Sequence, residues 1–266
     1  MSLTRVYAIV VRQLFLLRHN PVRFTNIFVW AVLDIILWGF ITKYLNEVGN
    51  TGFNFVPVLL GAVVLFDFLT RVMHGVLVAF LEDVWSRNFL NLFASPLSVG
   101  EYVLGLVSAS ILTSAVGFAA LVGVAGLLFG YFIFKLGLLL LPFLLILFLF
   151  GIALGIFVVA VILRVGPSAE WIAWPVPMLL SPFSGVFYPI SVLPSFLQPF
   201  AHALPSSYVF EGMRTALFDG SLNAYSLWVG GVLALLYLAL AYAFFVATYR
   251  YVLRHGLISR FGAENG

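Results

Sequence analysis

Residues 136–163 read LGLLLLPFLLILFLFGIALGIFVVAVIL, a run without one charged side chain. A hydrocarbon core about 30 Å thick is crossed by roughly 20 helical residues, so this stretch alone can span a bilayer. Working outward, 63% of the 266 residues are apolar and only 9% charged, against roughly 25% charged in an average soluble domain. A soluble fold could not cover that much apolar surface. Ten-residue segments of alternating polarity, the mark of an outer-membrane barrel, are absent. The backbone polar groups must therefore be satisfied within helices, and the fold class is an all-α membrane protein.

Six spans are expected, at residues 24–41, 56–80, 102–129, 136–163, 171–188 and 225–248. An even number places both termini on one side, and the basic residues choose the side. Arg5, Arg12, Arg18, Arg23, Arg87, Arg164, Arg250, Arg254 and Arg260 fall on the terminal side, against Lys43, Lys135 and Arg214 opposite. Both termini are thus expected in the cytoplasm, in a multi-pass protein of the inner or plasma membrane. No small-residue cleavage site follows the first basic residues, so no removable signal peptide is expected.

Three segments depart from plain spans. Residues 3–19 place Arg5, Arg12 and His19 seven apart, with Leu3, Val6, Val10, Leu14 and Leu17 around the rest of the helix. That pattern suits a helix lying in the cytoplasmic interface. Next, LEDVWSRNFLNLFASPLSVGEY (residues 81–102) is too charged to span and too amphipathic for a linker, and predicts a short cytoplasmic helix ended near Pro96. Finally, seven of the twelve prolines fall between Pro175 and Pro205. Within residues 189–219, two short apolar pieces divided by Pro199 and Pro205 and closed by Glu211 and Arg214 predict half-penetrating helices on the outer side.

Several chemistries are excluded. The chain has no cysteine, which removes disulfides, thiolate metal sites and cysteine nucleophiles. Its only lysines, Lys43 and Lys135, do not follow a G-x-x-x-x-G-K pattern, so the chain is not itself a P-loop ATPase. No G-x-S-x-G elbow occurs, and His19, His74, His202 and His255 lack metal-ligand spacing. Net charge is +3 with the basic residues dispersed, so no nucleic-acid patch is expected. No catalytic residue and no metal site is assigned.

The interfacial N-terminal helix, S-P-L-S at Ser95 to Ser98 followed by Glu101 and Gly105, Y-P-I-S-V-L-P at 188–194 and L-P-S-S-Y-V-F-E-G-M-R at 204–214 form one pattern. It resembles the permease subunits of type 2 ABC exporters, the family of small drug, nodulation-factor, teichoic-acid and O-antigen exporters, over nearly the whole chain. The resemblance implies a coupling helix within 82–101, where Trp85, Phe89 and Leu92 enter a cleft of a separate ATPase. Glu82, Asp83 and Arg87 would surround them, with Pro96 and Glu101 closing the segment. In place of the family's usual run of charges with glycine stands E-D-V-W-S-R-N. An outer re-entrant motif carrying Tyr188, Pro189, Pro194, Pro205, Tyr208, Glu211 and Arg214 is also implied. So are a second permease copy, surrounding lipid, and ATP with Mg on the partner ATPase and not on this chain.

Inside the spans, Asp34, Asp67, Arg71 and His74 are the ionisable groups, and such groups should face protein or water. Asp67 and Arg71, one turn apart, admit two readings: a self-neutralising structural pair, or part of the path or its gate. Asp34 has no partner at helical spacing. Gly126-x-x-x-Gly130 and Gly151-x-x-x-Gly155 would permit close helix approach. The expected function is a translocation path for an amphiphilic drug-like or lipid-like substrate. Alternatives are polysaccharide or glycolipid export, an ion-coupled carrier or intramembrane enzyme using the four ionisable groups, and a non-transporting assembly factor.

Overall fold

A computed structural model describes residues 2–19, 21–49, 56–86, 95–221 and 223–261. Every regular element among them is helical. In chain order these are α1 (Leu3–His19), α2 (Pro21–Gly49), α3 (Val56–Trp85), α4 (Val99–Phe129), α5 (Leu140–Val165), α6 (Glu170–Ala173), α7 (Val176–Leu180), α8 (Gln198–Ala203), α9 (Pro205–Asp219) and α10 (Ala224–Arg254). Short 3-10 turns at Ile133–Leu139, Pro167–Ala169, Ile190–Val192 and Leu257–Phe261 join or end them.

Among the described residues, four helices, α3, α4, α5 and α10, are long and apolar enough to cross a membrane. At 31 residues, α4 is about 46 Å long, well beyond a core of roughly 30 Å. Its start is set by Ser98, whose Oγ accepts the Glu101 N–H at 3.3 Å while the Glu101 carboxylate accepts the Ser98 N–H at 2.9 Å. This reciprocal capping box satisfies two otherwise orphaned donors. At the other end Gly130 adopts the left-handed conformation (φ 63°) that closes a helix and favours glycine. The expected first span lies within α2.

Three of the expected segments differ from the helices observed. The fifth, 171–188, is interrupted, as its prolines require: α6 and α7 are four and five residues long, and turns follow them. Pro175, Pro177 and Pro182 remove backbone donors and crowd the preceding turn, so hydrogen bonding cannot run through. α3 continues unbroken beyond the second predicted span to Trp85 and takes in the start of the predicted coupling helix, which is therefore not a separate helix there. The fourth begins late: residues 133–139 form a 3-10 turn in which Gly137 takes φ 58°, and the α-helix starts at Leu140.

The core is centred on α5, buried over most of its length between α3 and α10. One buried cluster joins Ile9 of α1 to Phe80, Tyr102, Ile156 and Phe245. The other joins Ile35 and Leu65 to Phe143, Phe150, Phe210 and Met213. Gly151 and Gly155 make the α3–α5 seam: a Cβ on Gly155 would lie 2.7 Å from Val76 Cβ and 3.0 Å from the Met73 carbonyl oxygen. This small-residue pair therefore serves packing within the chain. Gly130, by contrast, is a helix cap and not a seam residue. Gly155→Val is expected to lower the folded yield severalfold in size-exclusion profiles, since the backbone oxygen cannot yield. Gly123→Ala, with open space around its Cβ position, should leave the yield unchanged.

Candidate functional site

Polar side chains gather at three levels. The first is where α1 crosses the end of α3 and the start of α4. Asp83, on the last turn of α3, is fully buried; it accepts a hydrogen bond from Tyr102 Oη at 2.7 Å and forms an ion pair with Arg12. One residue on, Gln13 Nε2 donates to the Ala79 carbonyl at 2.9 Å. Arg5 pairs with Glu101 at 3.4 Å and donates to the Pro96 carbonyl, while the Ser2 N–H donates to the other Glu101 oxygen. Between these polar ties, Ile9 fills the space left by Gly105, where a Cβ would fall 2.6 Å from Ile9 Cγ2. The seven-residue spacing of Arg5 and Arg12 thus matches two carboxylates across a close helix contact.

Of the residues expected to couple, Asp83 and Glu101 turn their carboxylates towards α1. Glu82 is half-buried on the same last turn of α3. Trp85 is 51% exposed, and its Nε1–H donates to Glu170 at the start of α6 at 3.1 Å. Pro96 precedes the cap of α4. Arg87, Phe89 and Leu92 lie outside the described residues. Arg5, Arg12 and Tyr102 were not among the expected site residues. The S-x-x-E pattern at Ser98 and Glu101 was the available sign of a cap, whereas nothing local marks Tyr102.

The second level lies halfway along the bundle. Arg71 Nε donates to Asp67 on the same helix, and Nη2 lies 3.4 Å from the other carboxylate oxygen. Arg71 also fills the notch at Gly117 of α4, where a Cβ would be 2.6 Å from Nη1. Asp34, midway along α2 and exposed, is near enough to interact electrostatically with Arg71 and Asp67. His74, one turn beyond Arg71, packs against Trp174 with ring centroids 5.0 Å apart and the rings tilted by 50°. The structure brings together Asp34, Asp67 and Arg71, which lie on two different helices.

The third level is the proline-rich segment. Arg214 of α9 donates to the backbone carbonyls of Gly185, Val186 (3.2 Å) and Tyr188 (3.0 Å), and to Glu211 Oε1 at 3.1 Å. The same Glu211 oxygen accepts the Ile190 N–H at 2.8 Å. Gly185 has φ 65°, which turns the chain so that successive carbonyls converge on one guanidinium. Ser184 and Ser206 share a hydrogen bond at 2.9 Å, and Tyr188 Oη donates to the Pro182 carbonyl at 2.8 Å. Tyr208 Oη donates to the His202 carbonyl at 3.0 Å. Pro189 and Pro194 flank the 3-10 turn, and Pro205 occupies the first turn of α9, where its missing donor is harmless. Glu211 and Arg214 stand inside α9, which continues past them to Asp219; they do not close it, as the sequence had suggested. Gly185, Ser184 and Ser206 were not anticipated.

An open cavity of about 280 Å³ lies beside this clamp, lined by Ile190, Ser191, Gln198, His202 and Glu211. Among the described residues no three His, Asp or Glu side chains are grouped as a metal site. No curated protein sequence matches the chain. The ABC-2 type transporter family does match, over residues 4–218, from α1 through the Arg214 clamp. With its membrane-length helices and this extent of match, the chain belongs to the ABC-2 type transporter family and is a transporter membrane subunit.

Proposed function

We propose that this chain is the permease half of an ATP-driven exporter whose ATPase is a separate polypeptide. Two copies form the path for an amphiphilic drug-like or lipid-like substrate. The chain crosses the inner or plasma membrane six times, with α2, α3, α4, α5, the broken α6–α7 region and α10 as the crossings. Both termini and the segment between α3 and α4 then lie in the cytoplasm. The segment from 189 to 219 is re-entrant at the outer end, and ATP and Mg belong to the partner. The segment between α3 and α4, with Trp85 at its edge, is the docking point for that partner.

The observation that carries this reading is Asp34. It is exposed midway along α2, on a face whose neighbours Trp30, Leu33, Leu37 and Phe40 are also exposed. A carboxylate facing lipid at that depth costs about 2.5–3.5 kcal/mol. The face is therefore better covered by the second copy around a watered path than by lipid. A largely apolar wall with one carboxylate suits an amphiphile. Asp34→Asn, reconstituted with the ATPase, is expected to keep normal folded yield while ATP-driven movement of a fluorescent amphiphilic dye falls about tenfold, a difference of about 1.4 kcal/mol. Unchanged dye transport would remove Asp34 from the path.

A further inference from the structure

The Arg214 clamp explains why Glu211 is held in place, but not the cavity that its carboxylate helps to line. Four polar side chains from three stretches of chain meet there: Ser191, Gln198, His202 and Glu211. Glu211 commits Oε1 to Ile190 N–H and Arg214, which leaves Oε2 as an acceptor. Gln198 commits Nε2 to the Leu193 carbonyl at 2.9 Å, and its Oε1 remains as an acceptor. The Ser191 hydroxyl and the His202 ring can each donate or accept. His202 is steadied by Tyr208, with ring centroids 6.3 Å apart.

Charge and size narrow the ligand. The carboxylate in the wall is already matched by Arg214, so the wall carries no net charge to attract an anion or a multivalent cation. What it offers is a set of acceptors aimed from different directions, with two groups able to reverse polarity. A cavity of about 280 Å³ lies at the lower bound of small-molecule sites, with room for one ring-sized group and not for a whole amphiphile. We propose that the Ser191–Gln198–His202–Glu211 cavity binds a single hydroxyl-rich group, a sugar ring or comparable polyol, at the outer end of the permease. The site deepens the exporter reading and rests on it only for the side of the membrane. The sugar is either the polar part of a lipid-like molecule or a soluble carbohydrate.

The test uses the full chain in phosphatidylcholine nanodiscs and needs neither the ATPase nor transport. Its failure is thus separable from failure of the exporter reading. Methyl-β-glucoside, N-acetylglucosamine and choline are titrated by saturation-transfer NMR. At least one sugar is expected to bind saturably, with a dissociation constant on the order of 1 mM for so small and open a site, and choline is not. Gln198→Leu and His202→Phe should each weaken binding about tenfold, and Ser191→Ala about threefold, as expected for loss of one hydrogen bond. The His202 and Ser191 variants leave every clamp contact in place, so they decide the matter if Gln198→Leu does not fold. Nanodiscs doped with a monoglucosyl lipid separate the sources: displacement of methyl-β-glucoside identifies a lipid-borne sugar, and its absence a soluble one. The proposal is overturned if neither sugar saturates, if choline alone does, or if binding is equal in wild type and the His202 and Ser191 variants.

Discussion

Arg214→Met should lower the thermal unfolding midpoint of the purified permease by many degrees and collapse its folded yield. The guanidinium is almost wholly buried and serves four acceptors, three of them main-chain carbonyls from a segment that has no helix of its own. Methionine fills similar volume but leaves those carbonyls unpaired, at about 1–3 kcal/mol for each buried polar group. Glu211 would also lose its cation, at a smaller cost, because 35% of its side chain is exposed and water screens the charge left behind. Against a total stability of about 5–15 kcal/mol, that loss is severe. Arg214→Lys should fall between, because one ammonium with three donors cannot reach three carbonyls and a carboxylate together. A wild-type midpoint in the methionine variant would show that the proline-rich segment is held by packing alone.

The second large effect is expected where α1 meets α3 and α4. Asp83 is completely buried, whereas 26% of the Arg12 side chain reaches the surface. The two partners should therefore respond unequally. Arg12→Met strands a buried carboxylate with only the Tyr102 hydroxyl, a loss of about 3–5 kcal/mol. Asp83→Asn removes the buried charge and keeps one acceptor, whose carbonyl oxygen can take the Arg12 N–H while its NH2 donates to the Tyr102 oxygen, and should cost less. The double variant Arg12→Met with Asp83→Leu should recover part of the loss, since no unpaired charge is left inside. Hydrogen exchange reads the local consequence, with α1 amides exchanging faster in Arg12→Met while those of α5 are unchanged. Equal protection of α1 in wild type and Arg12→Met would mean that Ile9 in the Gly105 notch holds the helix by itself. Under the exporter reading, this fastening joins α1 to the end of α3 and the start of α4, so movement at the ATPase is passed to all three.

The features legible in the sequence were those with a local cause. The apolar run in α5 demanded a membrane helix, and the proline density after Pro175 forbade a continuous helix. Asp67 and Arg71, one turn apart, could be paired by inspection, and the structure shows that ion pair. Asp34 could not be placed beside them, because its neighbours come from another helix. Glu211 and Arg214 were visible as charges that interrupt an apolar piece. Their actual place inside α9 depends on Gly185 and the carbonyls after it, and no spacing rule connects residues 185 and 214.

Composition and periodicity by themselves determined that this protein is all-helical, that it belongs in lipid, and that it carries an amphipathic helix before its first span. Each of these follows from the requirement to satisfy backbone groups where no water is available, and that requirement acts on every residue locally. Only the tertiary structure decided that Asp83 and Glu101 turn inward to Arg12 and Arg5, that Gly151 and Gly155 seat α5 on α3, and that one arginine gathers the broken outer segment. Those outcomes depend on which distant chain segment arrives opposite a given side chain. In an apolar bundle, where lipid is as good a neighbour as leucine, close packing and a few buried charges make that choice.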